Sequence, residues 1–216
     1  MKKLLTIVFM IAACNLFSQE KIKEVTYYNQ TFDYYEICNV LKADKTVLHG
    51  SYERNVLNKM AVTGQYDHNK KSGEWKFYNF DGNINYSYNY STNEFSSINA
   101  NTENQIVILG NDTIICKVDR PVLYEGSNLE ILNYLIHNIR YPEQAVVNGI
   151  KGRVIVGLVI NEDGAYEYVY IIRGVEKSLN AEALRVFAEF EGTWFPAMLN
   201  GQRVKSVFIY PVLFNL

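Results

Sequence analysis

The sequence predicts an α+β protein in two parts, and three features carry that prediction. From Val25 to Tyr90 aromatic and polar residues alternate between turn signals, as half-buried antiparallel strands do. From Leu129 to Ile139, and again from Leu179 to Phe190, apolar residues recur three and four positions apart, the period of an amphipathic helix. Between those two stretches lie Gly152–Ile160, rich in β-branched residues, the turn Asn161-Glu162-Asp163-Gly164, and a second strand from Tyr166.

The chain opens with Lys2 and Lys3, an apolar run from Leu4 to Ala13, and the small residue Ser18. That is the layout of a secretory signal. The run of about ten residues falls short of the roughly 20 needed to span a membrane. Residues 1–18 therefore read as a cleaved signal peptide and the remainder as an exported, periplasmic chain. A second route stays open, because Ile11-Ala12-Ala13-Cys14 resembles the bacterial lipobox. Cys14 would then carry lipid and anchor the protein to a membrane. Cys38 and Cys116 lie in different halves, so a disulfide and two free thiols are both open. A net charge of −2 argues against nucleic acid or an anionic membrane surface as partner.

Residues 19–90 read as stacked hairpins. Gly50-Ser51-Tyr52, Gly64-Gln65-Tyr66 and Gly73-Glu74-Trp75 repeat a glycine two residues before an aromatic, each glycine leaving room for a neighbouring ring against the backbone. The run Gly64 to Trp75-Lys76-Phe77-Tyr78, ending in the turn Asp81-Gly82, resembles MORN-type repeats over about residues 46–90. That resemblance implies a scaffold or interaction surface. Residues 91–118 read as a linker, polar from Ser91 to Asn104, with short strands at Gln105–Leu109 and Thr113–Val118.

In residues 119–216 the order is α-α-β-β-α-β, a three-stranded antiparallel sheet with helices on one face. Asn128–Asn138 forms the first helix, and Tyr141-Pro142 breaks it because proline drives the preceding residue out of the α region. Glu143–Val147 is a second, short helix ended by Asn148-Gly149. In the returning strand Tyr166, Tyr168, Tyr170 and Ile172 share one face. A third helix follows, with Asn180 as its N-cap. After the turn Asn200-Gly201 the last strand runs from Val204 to Phe214, and Pro211 marks an edge or bulge because it cannot donate to a ladder.

The succession Arg120-Pro121, Asn138-Ile139-Arg140-Tyr141-Pro142, Gly149-Ile150-Lys151-Gly152-Arg153-Val154, Asp163-Gly164, Ala181-Glu182-Ala183-Leu184 and Trp194-Phe195-Pro196-Ala197 resembles the C-terminal domain of TonB-type energy transducers. What the resemblance implies is recognition by strand addition. An extended segment of a TonB-dependent outer-membrane transporter, or of another envelope protein, would pair with the edge of the last strand. On this chain that edge is Arg203, Lys205, Val207, Phe208, Ile209, Tyr210 and Val212, with Asn138, Ile139 and Arg140 beside the incoming peptide. The same edge would serve a homodimer. The alternative is a structural periplasmic lipoprotein that reuses the fold for assembly.

Force transduction by this chain alone is not expected, since its leader is too short to span and none of its four prolines lies before Arg120 to stiffen a spacer. Nor is an enzyme. The histidines His49, His68 and His137 show no ligand spacing, no glycine-rich phosphate loop or Gly-x-Ser-x-Gly elbow is present, and Glu162-Asp163 reads as a solvated turn. No cofactor, metal or catalytic residue is assigned from the sequence.

Overall fold

Seven consecutive strands form the first sheet of the computed structural model, which describes residues 20–215. The readings of a signal peptide at 1–18 and of lipidation at Cys14 lie outside the described residues. The strands are β1 (Ile22–Asn29), β2 (Tyr34–Leu41), β3 (Leu48–Val56), β4 (Lys59–Asp67), β5 (Lys70–Tyr78), β6 (Ile84–Asn89) and β7 (Glu94–Ile98), each antiparallel to the next. Leu57-Asn58 and His68-Asn69 join β3 to β4 and β4 to β5, all four with positive φ. That mirror-image turn matches the right-handed twist of the strands it connects.

β7 lies inside the stretch that reads as a linker. Phe95 and Ile98 are its only large apolar residues and both pack on the aromatic cluster, too few to show a period in a run of polar neighbours. In that cluster Trp75 is 1% exposed, with Tyr52, Tyr66 and Tyr90 around it at centroid distances of 5.3, 5.1 and 5.8 Å. Of the three repeated glycines, only Gly64 seats a ring: a Cβ there would stand inside the Trp75 indole, whereas Gly50 faces Asn39 and Gly73 faces Gln65.

The rest of the chain builds β8 (Gln105–Leu109), β9 (Asp112–Cys116), β10 (Leu123–Tyr124), α1 (Asn128–Asn138), α2 (Glu143–Val147), β11 (Gly152–Ile160), β12 (Tyr166–Arg173), α3 (Lys177–Ala188), β13 (Trp194–Phe195), β14 (Ala197–Leu199) and β15 (Gln202–Phe214). The α+β class holds, but the second sheet has six strands instead of three. Its order is β12-β11-β15-β8-β9, with β14 also on β15. The β8–β9 hairpin joins because Val107, paired with Ser206, drops into the core and is fully buried. Cys38 in β2 and Cys116 in β9 are free thiols in different sheets.

Three local expectations change. Register shifts at Glu167 and Ile172 turn Tyr166 into the core with Val169 and Ile171, leaving Tyr168 and Ile172 exposed. α3 starts earlier than Asn180. Its N-cap is Glu176, whose carboxylate accepts from Ser178 N at 2.7 Å, while Asn180 Oδ1 accepts from Val175 N at 3.0 Å. In α1 the apolar period of Leu129, Leu132, Leu135, Ile136 and Ile139 predicts a single buried face, whereas Ile131 is buried and Ile136 is 53% exposed, because the helix is covered from two directions.

Gly64→Ala is expected to lower stability by about 1–3 kcal/mol, the usual cost of an overpacked core. It should read as a lower urea midpoint with an unchanged m-value. A wild-type midpoint would show that the indole is not seated on the backbone at Gly64.

Candidate functional site

The last strand, β15, is the longest among the described residues, and only part of its second edge is occupied. β11 pairs with it from Ser206 to Phe214 on one side. On the side away from β11, β8 takes up Lys205 and Ser206, and β14 forms a hairpin with Gln202 to Val204. Among the described residues, nothing pairs with the other edge from Val207 to Phe214. Of the residues assigned to a binding edge, Arg203 is therefore opposite Met198 and Lys205 opposite Ile108, within the protein itself. Val207, Phe208, Ile209, Tyr210 and Val212 lie in the open stretch. Pro211 also falls there, past the end of β8, where a residue without an N–H costs least.

That open stretch lines a cleft of about 600 Å³. Val207 to Pro211 form one wall. The rest of the lining is rich in amides, with Asn79 and Asn85 from the β5–β6 region, Asn101 and Gln105 from the approach to β8, and Asn128 from α1. Phe80, Pro121 and Leu132 add apolar surface. Burial pushes the Tyr210 hydroxyl up to about 12, so the cleft gains no charge from it near neutral pH. Asn138, Ile139 and Arg140 are at the other end of α1, away from the cleft lining. There Arg185 donates to Asn138 O at 2.8 Å, and Arg140 N donates to Glu182 at 2.6 Å.

The cleft has two walls because the two sheets are held together by residues on and around the start of α1. Leu123, Leu129 and Phe195 complete the aromatic core of the first sheet. Arg54 in β3 donates to Glu36 at 2.9 and 2.6 Å and also pairs with Glu130. Tyr86 donates to Tyr124 O at 2.6 Å, and Ser127 donates to Tyr78 O at 2.6 Å. Glu125 receives Lys71 at 2.8 Å and the Tyr90 hydroxyl at 2.5 Å. Burial works to raise the Glu125 carboxyl, but those two donors hold it below the ordinary carboxylate range.

A further cluster escaped sequence reasoning. His49 and His68, scattered along the chain, come together with ring centroids 4.7 Å apart, next to Glu20 and Asp67. Only the strand register could have revealed this, since continuing the β3–β4 pairing past Gly50↔Tyr66 sets His49 opposite Asp67.

These features define a class: an α+β domain with helices on one face of its sheet and a partly open last strand, here facing a cleft. Residues 137–216 match the family model described as Gram-negative bacterial TonB protein C-terminal. The match begins in the last turn of α1 and takes in everything from α2 to β15, so this part of the chain is similar to a TonB C-terminal domain. Neither a curated protein nor a solved structure matches the chain. No helix among the described residues is long and apolar enough to cross a membrane.

A carboxyl with a depressed folded pKa adds stability above its unfolded value, about 4.3 for glutamate, and that stability is lost as pH falls through the folded value. Glu125→Gln is thus expected to destabilise the protein at pH 6 and to flatten the loss of stability below about pH 4.3. Urea midpoints of both proteins between pH 6 and pH 3 check this, and parallel curves would remove Glu125 from the contact.

Proposed function

We propose that this protein is an exported envelope component that binds an extended segment of a partner by strand addition to β15. A TonB-dependent outer-membrane transporter is the first partner class. The observation that carries this reading is the open edge from Val207 to Phe214 inside a cleft, in the domain that matches the TonB C-terminal family.

The cleft suits an added strand. Such a segment would continue the line of β8 beyond Gln105 and run antiparallel to β15. Main-chain hydrogen bonds supply affinity in this mode, and pockets for alternate side chains supply selectivity. The arrangement of β15 that wastes no ladder bond turns Pro211 toward the free edge, and by alternation the N–H groups of Val207 and Ile209 with it. The bound segment's outer edge would meet the amides of Asn79, Asn85 and Asn128, which can accept and donate. In an ordinary sheet that outer edge would be left to water. No catalytic group is needed for this reading, and no cofactor enters it.

The scaffolding alternative draws on the part of the edge that β8 already covers. Affinity capture from envelope extract separates the two. Wild-type protein is expected to retain TonB-dependent transporters, and Ile209→Pro, which removes an outward N–H and leaves the β11 ladder in place, should reduce that capture at least tenfold while circular dichroism stays native. Equal capture by a folded Ile209→Pro protein would overturn strand addition. Recovery of lipoproteins without transporters would favour the scaffold.

A further inference from the structure

Two carboxylates and two imidazoles converge at one end of the first sheet. His68 Nδ1 lies 2.6 Å from Asp67 Oδ1, and His49 Nδ1 lies 3.3 Å from the same oxygen. On the opposite side, Glu20 Oε2 is 3.1 Å from His68 Nε2 and 3.8 Å from His49 Nε2. Each ring thus presents one nitrogen to Asp67 and the other to Glu20. His49 Nδ1 is buried and has no hydrogen-bond partner, which leaves a polar atom unsatisfied inside the cluster.

The backbone holds this arrangement without help from the imidazoles. Leu48 N donates to Asn69 Oδ1 at 2.8 Å, and Asn69 N donates back to Leu48 O at 2.9 Å. That reciprocal pair locks the start of β3 to the β4–β5 turn, so His49 and His68 are neighbours by construction. Lys42 N donates to Lys21 O at 2.8 Å, which ties the residue after Glu20 to the end of β2.

We propose that Glu20, His49 and His68 bind a divalent first-row cation of the zinc class, with Asp67 orienting the His68 imidazole through its Nδ1 and standing 3.3 Å from His49 Nδ1. The donor set fits. Neutral imidazole with carboxylate suits zinc, and a carboxylate that accepts from the far ring nitrogen sets the tautomer and turns the other nitrogen to the metal. Glu20 and Asp67 bring two carboxylates to the cluster, a negative charge that a divalent cation offsets. One ligand atom each from Glu20, His49 and His68 already lie within 4.8 Å of one another. Tetrahedral zinc with bonds of about 2.0–2.1 Å needs ligand atoms about 3.3 Å apart. Small side-chain rotations close that gap, because Glu20 and His68 are exposed and free to adjust. A bound cation would fasten the residues ahead of β1 to β3 and to the β4–β5 turn.

Calorimetric titration of ZnCl₂ into the untagged exported chain, with Gln19 and Glu20 retained, tests this. The expected result is one zinc per chain. His49→Gln and His68→Gln should each weaken binding at least tenfold, and Asp67→Asn should weaken it roughly 10- to 100-fold, as loss of an orienting carboxylate does. His137→Gln should leave the isotherm unchanged. Zinc should also raise the thermal midpoint of the wild type and leave that of a folded His49→Gln/His68→Gln protein unmoved. No zinc uptake, or equal uptake by the double variant, would mean the four side chains form an ion-pair cluster only and would overturn the site.

Discussion

The first turn of α1 is the constraint on which the rest of this structure depends. Leu129 serves the aromatic core of the seven-stranded sheet and Asn133 donates to Phe32 O, while Ile131 and Leu135 serve the core of the second sheet. A helix wedged in this way cannot leave its N-terminal N–H groups to water. Ser127 solves part of the problem, accepting from Leu129 N and donating its hydroxyl to Tyr78 O across the junction. Glu130 solves the remainder. It closes the capping box on Ser127 N at 2.7 Å and presents its other oxygen to Arg54. One carboxylate therefore caps a helix and ties two sheets together. Removing it would leave Arg54 short of a partner in a half-buried position, and losing one partner of such a pair costs more than the pair contributes.

From this junction follows the geometry of the cleft. The first sheet brings its amide-bearing turns opposite β15, and the β8–β9 hairpin closes the first part of the strand's free edge while leaving the remainder open. Exposed sheet edges invite unwanted pairing, and proteins commonly shield them. Here the shielding is partial. β8 covers Lys205 and Ser206, Pro211 weakens pairing further along, and the amides lining the cleft limit what can approach. An edge guarded in this way favours a single extended segment over another flat sheet.

The outer face of the second sheet is also less polar than a free surface usually is. Ile209 and Leu213 are 44% and 64% exposed, and Tyr168, Ile172 and Ile115 accompany them. These side chains follow from the alternation of the strands, shifted in β12 by its two irregularities, with the helices claiming one face. Their exposure is compatible with a protein whose working surface is its sheet.

Much of the second half was legible in the residues themselves. α1, α2 and β11 fall where apolar period, the Tyr141-Pro142 break and the Asn148-Gly149 stop put them, because those signals act within a few residues. What escaped was every feature set by pairing over long distances. The two strands of the β8–β9 hairpin are legible as short strands, but their place beside β15 is not until Val107 is seen against Ser206. The partners of Arg203 and Lys205 in the edge strand, and the distance of Asn138–Arg140 from the cleft, depend on which strands sit side by side. His49 and His68 are 19 positions apart, a spacing that means nothing until β3 and the β4–β5 turn are locked together. Local propensity and period are properties of neighbouring residues, so the sequence alone determined most of the elements and the α+β class they build. Sheet order and edge occupancy arise from contacts between segments far apart in the chain, and those the tertiary structure alone decided.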